Sequence, residues 1–182
     1  MTFDLQLPNI PFPNRKRQSF GVSTASAMLE KAVRDFRAFQ SCTDVIRSGD
    51  HAFNVCLSIW HLHDWAHADA TETELEIIGT FLGRPVRSKT EFSIALQRAC
   101  PLLKICRIMA TAGKHTKVDT YPDPTVETMF DIYQSTGPDE RFTVRWGMTF
   151  DGRSYDAADV FDECLLFWGR LFATLNWTHS GG

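Results

Sequence analysis

Apolar and polar positions follow three different periods along this chain. Residues 1–22 place Pro8, Pro11 and Pro13 among Leu5, Leu7, Ile10 and Phe12. Proline fixes φ and removes a backbone donor, so this stretch is predicted to be an extended arm lying on the body. From Ser23 the period becomes helical. Leu29, Ala32, Val33, Phe36 and Phe39 make one stripe opposite a charged face, which predicts a helix over 24–47 ending near Ser48-Gly49-Asp50. A second helix over 51–68 is apolar most of the way round and is expected to be central. Thr71 with Glu74, and Ser88 with Glu91, have capping-box spacing and open two further helices. Pro101 then either kinks the second of these or begins another helix that runs to Gly113. Residues 126–134 and 141–150 switch to period two and predict a β-hairpin, with a further turn at Asp151-Gly152. Asp156 is placed to cap a last helix, with Phe161, Cys164, Leu165, Trp168, Leu171 and Phe172 on its apolar face.

These elements predict a mainly α fold: a helical bundle of four to six helices with a β-hairpin inserted before the C-terminal helix. The expected organisation is an arm over 1–22 and a single domain over 23–177. A length of 182 residues suits one domain, and 43 % hydrophobic residues can fill its core. The net charge of −3 gives no global basic character of the kind that marks nucleic-acid binders. Five cysteines with no CxxC pair argue for small buried thiols in a reducing compartment, and so for a cytoplasmic location. No stretch approaches the run of about 18 apolar residues that spans a membrane.

Two segments could carry chemistry. The first is Trp60-His61-Leu62-His63-Asp64-Trp65-Ala66-His67. On a helix His63 and His67 fall one turn apart on one face, the geometry that lets two imidazoles meet one metal ion. His61 falls nearly opposite, and Asp64 lies between the two faces. The pattern lacks the glutamate of HExxH, and a third ligand has to come from Cys56, Asp64 or His115. The bland alternative is histidines hydrogen-bonded within a partly buried helix.

The second segment is Cys106-Arg107-Ile108-Met109-Ala110-Thr111-Ala112-Gly113-Lys114-His115, with Lys117 just beyond. An arginine near a titratable histidine is the pair required for metal-free RNA cleavage. The imidazole moves the proton of the 2′-hydroxyl, and the guanidinium stabilises charge on the phosphate. The alternative is that basic side chains here answer the negative end of a helix dipole.

The succession NVCLSIWHLHDWAH, CRIMATAGKH, a hairpin and DAADVFDECLLFWGRLF resembles a group of uncharacterised bacterial helical-bundle proteins. More loosely it resembles the HEPN superfamily, whose members are α-helical bundles, often dimeric, many of them ribonucleases or toxins. The resemblance implies catalytic roles for Arg107 and His115, here separated by seven residues where the superfamily has four to six. Three functions stay open at this point. The chain is an interaction or binding module, or a metal-independent ribonuclease using Arg107 and His115, or a metal-binding bundle using His63 and His67. His61, Asp64, Lys114 and Lys117 are the candidates for contacting substrate. The partners that fit are a second copy of the chain and RNA, with no membrane, and the cofactor stays open.

Overall fold

A computed structural model describes residues 22–112, 126–134 and 142–177. It shows a helical bundle with a small antiparallel sheet ahead of the last helix. The described helices are α1 (Ala25–Ser41), α2 (Val45–Asp69), α3 (Glu72–Phe81), α4 (Lys89–Ala99), α5 (Leu103–Ala112) and α6 (Ala157–Thr174). The strands are β1 (Val126–Gln134), β2 (Phe142–Phe150) and β3 (Arg153–Asp156), in the order β1-β2-β3. No helix among the described residues is long and apolar enough to cross a membrane. The expected N-terminal arm and the tail beyond Trp177 lie outside the described residues.

Local chemistry explains most helix ends. Thr71 accepts from Glu74 N while Glu74 reaches back to Thr71 N, a complete capping box. Ser88 accepts from Glu91 N and starts α4. Asp156 accepts from Ala158 N and starts α6. Pro101 lies in a turn between α4 and α5, so it separates two helices and does not kink one.

Two boundaries differ from the sequence expectation. The first break falls at 42–44, and Asp44 caps α2 through Arg47 N at 2.8 Å. Ser48, Gly49 and Asp50 are therefore inside α2, where Ser, Gly and Asp are poor formers. The reason is tertiary. The Trp146 ring from β2 covers Gly49 so closely that a Cβ there would meet it at 3.0 Å. The second difference is β3. Asp151 and Gly152 take positive φ (48° and 73°) in a two-residue loop that folds Arg153–Asp156 back onto β2. Four residues are too short to display a period.

α2 is the central helix, as its two-sided apolar pattern implied. It packs on α1, α4, α5 and α6. The core runs between α2 and α6, where Ile59, Leu62, Phe161 and Trp168 are essentially sealed from water. Each such side chain contributes about 1.5–3 kcal/mol by burial. Phe161 stands edge-on to Phe36 and Phe39 of α1, with ring centroids 6.1 and 5.4 Å away. α1 runs back along α2, because Asp69 at the end of α2 accepts from Ala25 N at 2.6 Å. β2 docks the sheet. Met148 and Phe150 are buried, Lys104 of α5 lies over the Phe150 ring, and Trp146 Nε1 donates to Ser48 Oγ at 2.7 Å.

Candidate functional site

The histidine segment lies in the C-terminal half of α2, and it builds one charged cluster around Asp64. The Oδ2 atom of Asp64 is 3.1 Å from His61 Nδ1, and Oδ1 is 3.2 Å from His63 Nε2. Lys89, the first residue of α4, also ion-pairs with Oδ1. A cation at a helix N-terminus is misplaced with respect to the helix dipole. Its pairing with Asp64 offsets that cost and ties α4 to α2. Burial pushes the Asp64 carboxyl up. Hydrogen bonds from His61 and Lys89, with the charge of His63, outweigh burial and hold it well below the usual carboxylate range.

The proton positions follow from the partners. His63 Nδ1 lies 2.6 Å from the Trp60 carbonyl, which can only accept, so Nδ1 carries hydrogen. Proton gain and loss at His63 is therefore at Nε2, which faces Asp64. Desolvation of this buried ring lowers its pKa, and the bond to Trp60 and the Asp64 charge only partly oppose that. The ionised Asp64 likewise accepts a hydrogen bond from His61 Nδ1. His61 turns its outer nitrogen Nε2 away from Asp64 on a ring 29 % exposed. The cluster can orient one imidazole for proton transfer at the surface. Two grooves lie away from it, one of about 750 Å³ beside α3 lined by Glu76, Arg84 and Arg87. The other, of about 440 Å³, lies between the α1–α2 junction and β2, lined by Gln40, Arg145 and Asp159.

The sequence-named residues converge only in part. His61, His63 and Asp64 come together. His67 does not join them, because its ring faces Phe92 at 6.3 Å and its buried Nε2 has no hydrogen-bond partner among the described residues. Among those residues no three His, Cys, Asp or Glu side chains converge in a way that could hold a metal ion. Arg107 lies on α5 with its Nε buried and without a hydrogen-bond partner among the described residues. No hydrogen bond or ion pair among those residues joins it to the Asp64 cluster. Lys114, His115 and Lys117 lie outside the described residues. Lys89 was missed. Its signal was a lysine directly after the cap of α4, where an acidic residue suits the dipole.

The sheet presents a second kind of site. Among the described residues β1 pairs on one side only, with β2. Met129 and Phe130 on it are 43 % and 49 % exposed. Phe130 pairs in register with Trp146, their rings 5.3 Å apart, on the side of the sheet that docks the bundle. Met129 lies on the other side with Glu127 and Asp131 and folds over Gly147. Compared with known proteins, the chain matches no protein-family model, no curated protein and no solved structure.

Proposed function

We propose that this protein is an interaction module whose docking element is β1, accepting an extended segment of a partner chain as a further strand. The observation that carries the reading is an edge strand bearing two large exposed apolar side chains. Edge strands are normally guarded by charged residues, proline or a bulge; Val126–Gln134 contains no lysine or proline, pairs with β2 without interruption, and carries as its charges only Glu127 and Asp131. Main-chain pairing supplies affinity in such complexes, and alternate side chains supply selectivity. Glu127 and Asp131 flank Met129 on one face, so the matching segment alternates basic with apolar residues. The free thiols of all five cysteines agree with a reducing, cytoplasmic setting.

The test uses two synthetic nine-residue peptides, one alternating Lys with Val and one alternating Glu with Val. Amide exchange across β1 and Trp146 fluorescence report binding. Protection of β1 by the basic peptide, weakened by Glu127→Lys, is the expected result. Protection that grows with protein concentration alone reassigns the strand to a homodimer. No protection in any arm removes β1 as the docking element.

A second reading keeps Arg107 and His115 as an HEPN-like pair for metal-independent RNA cleavage. It is supported by Arg107, a partly buried arginine on α5 whose Nε finds no acceptor among the described residues, and a guanidinium is the side chain suited to a phosphate. RNA cleavage that survives EDTA and disappears in His115→Ala is its expected signature. Intact RNA in both lanes sinks it.

A further inference from the structure

Two acids on α3 and two arginines in the segment after it line one groove. Glu72, Leu75, Glu76 and Gly79 are spaced three and four apart, so they share a face of the helix. After α3 the chain turns at Gly83, with φ +70°, and Arg84 N donates to Gly79 O at 2.9 Å. The returning chain then lies so close to α3 that a Cβ on Gly79 would meet Arg84 O at 3.0 Å. The space left between that face and residues 83–87 is the groove of about 750 Å³. This is within the usual range for a small-ligand pocket.

The charges are separated along the groove. Glu72 is the first residue of α3 and Glu76 follows one turn later, whereas the Arg84 backbone is bonded to Gly79. From Glu72 to Gly79 the helix rises roughly 10 Å, at about 1.5 Å per residue. Arg87 also lines the groove. The ion pairs among the described residues include none of these four side chains. Arg84 is partly buried, and its Nη1 is sealed from water with no hydrogen-bond partner among those residues. A cation held partly out of water and left unneutralised attracts an anion more strongly than a solvated one does. Leu75 and the buried Val86 supply the apolar part of the lining.

A ligand with only negative charge would meet two carboxylates here, and one with only positive charge would meet two guanidinium groups. The lining suits a molecule that carries both signs, set about as far apart as Glu72 and Gly79. Three residues of extended peptide span roughly 10 Å, which matches that separation. A single amino acid is too short to reach both ends.

We propose that this groove is a binding site for a short peptide, about three residues long, with both termini free. The C-terminal carboxylate takes the Arg84 guanidinium, whose planar fork matches two carboxylate oxygens. The N-terminal ammonium lies at Glu72 and Glu76, and an apolar middle side chain covers Leu75 and Val86. The site is separate from β1 and needs no partner strand.

Isothermal titration calorimetry of the full-length chain with the tripeptide Ala-Leu-Ala tests the proposal. A one-to-one complex is expected. The C-terminal amide and the N-acetyl form should each bind at least about tenfold more weakly, because each loses one charge-assisted contact. Arg84→Gln should weaken the tripeptide by a similar factor and make acid and amide bind alike. Glu72→Gln combined with Glu76→Gln should do the same for the free and acetylated N-termini. Circular dichroism checks that the variants are folded. No heat of binding at millimolar Ala-Leu-Ala would overturn the proposal. So would an amide that binds as tightly as the acid, free leucine that matches the tripeptide, or unchanged affinity in a folded Arg84→Gln chain. If Arg84→Gln fails to fold, the amide and N-acetyl comparisons on the parent decide the matter.

Discussion

One contact that holds the sheet on the bundle, beside the buried Met148 and Phe150, is the bond from Trp146 Nε1 to Ser48 Oγ, at 2.7 Å. Ser48 is 3 % exposed, so water competes poorly for it. Removing either partner also changes other things. Trp146→Phe takes away part of a ring packed on Gly49 and Phe130. With the lost hydrogen bond, the cost should reach about 2 kcal/mol. Ser48→Ala leaves the indole N–H without its acceptor but improves helix propensity by roughly 0.5 kcal/mol, so its net cost is smaller. The Val45 carbonyl loses a donor from Ser48 Oγ in that variant as well. A double-mutant cycle cancels the ring packing, the propensity and the Val45 contact, and leaves the coupling between Trp146 and Ser48. For a neutral bond shielded from water that coupling should be about 1 kcal/mol. Urea unfolding of the four proteins, followed by far-UV circular dichroism, measures it. A coupling below about 0.3 kcal/mol, the range of independent sites, would refute the docking argument. The presentation of β1 would then need another support.

Three further expectations rest on single features. Burial lowers the pKa of His63 in the folded state, so the unfolded chain takes up a proton first as pH falls. Stability should therefore decline as pH drops through about 6.5 and level off once folded His63 also protonates. Asp64 stays ionised across that window, with His61 and Lys89 facing it, and its own contribution is lost only in strong acid. Thermal midpoints against pH should show a shallower fall in His63→Asn than in the parent, and an equal slope would contradict the assignment. Gly83 has φ +70° and nothing within 4 Å of the place a Cβ would occupy, so Gly83→Ala should cost about 1 kcal/mol from backbone strain alone. A change near zero in urea would mean the turn relaxes. Thr71→Ala removes the capping box at α3, and a loss of about 1 kcal/mol is expected, with amide exchange speeding first at Glu74. Unchanged exchange there would show that Trp177, which donates to Glu74 Oε1 at 2.7 Å, holds the helix end without the cap.

Much of the fold was legible because its signals are local. Thr71 and Glu74, Ser88 and Glu91, and Asp156 each act within a turn of the helix they start, and the α6 stripe and the hairpin alternation need only a short window. Periodicity along α2 correctly brought out a helix buried on several sides; it set His61 nearly opposite His63, and the structure brings the two together through Asp64, which lies between them. The tertiary structure decided what spacing along one element cannot. Gly49 stays helical because Trp146, almost a hundred residues later, lies over it. Lys89 completes the Asp64 cluster from the start of another helix, whereas His67, one turn from His63, turns to Phe92 instead. Sequence period sets the direction in which a side chain leaves its own helix. Which neighbour it meets depends on how the helices cross, and that follows from packing the whole core.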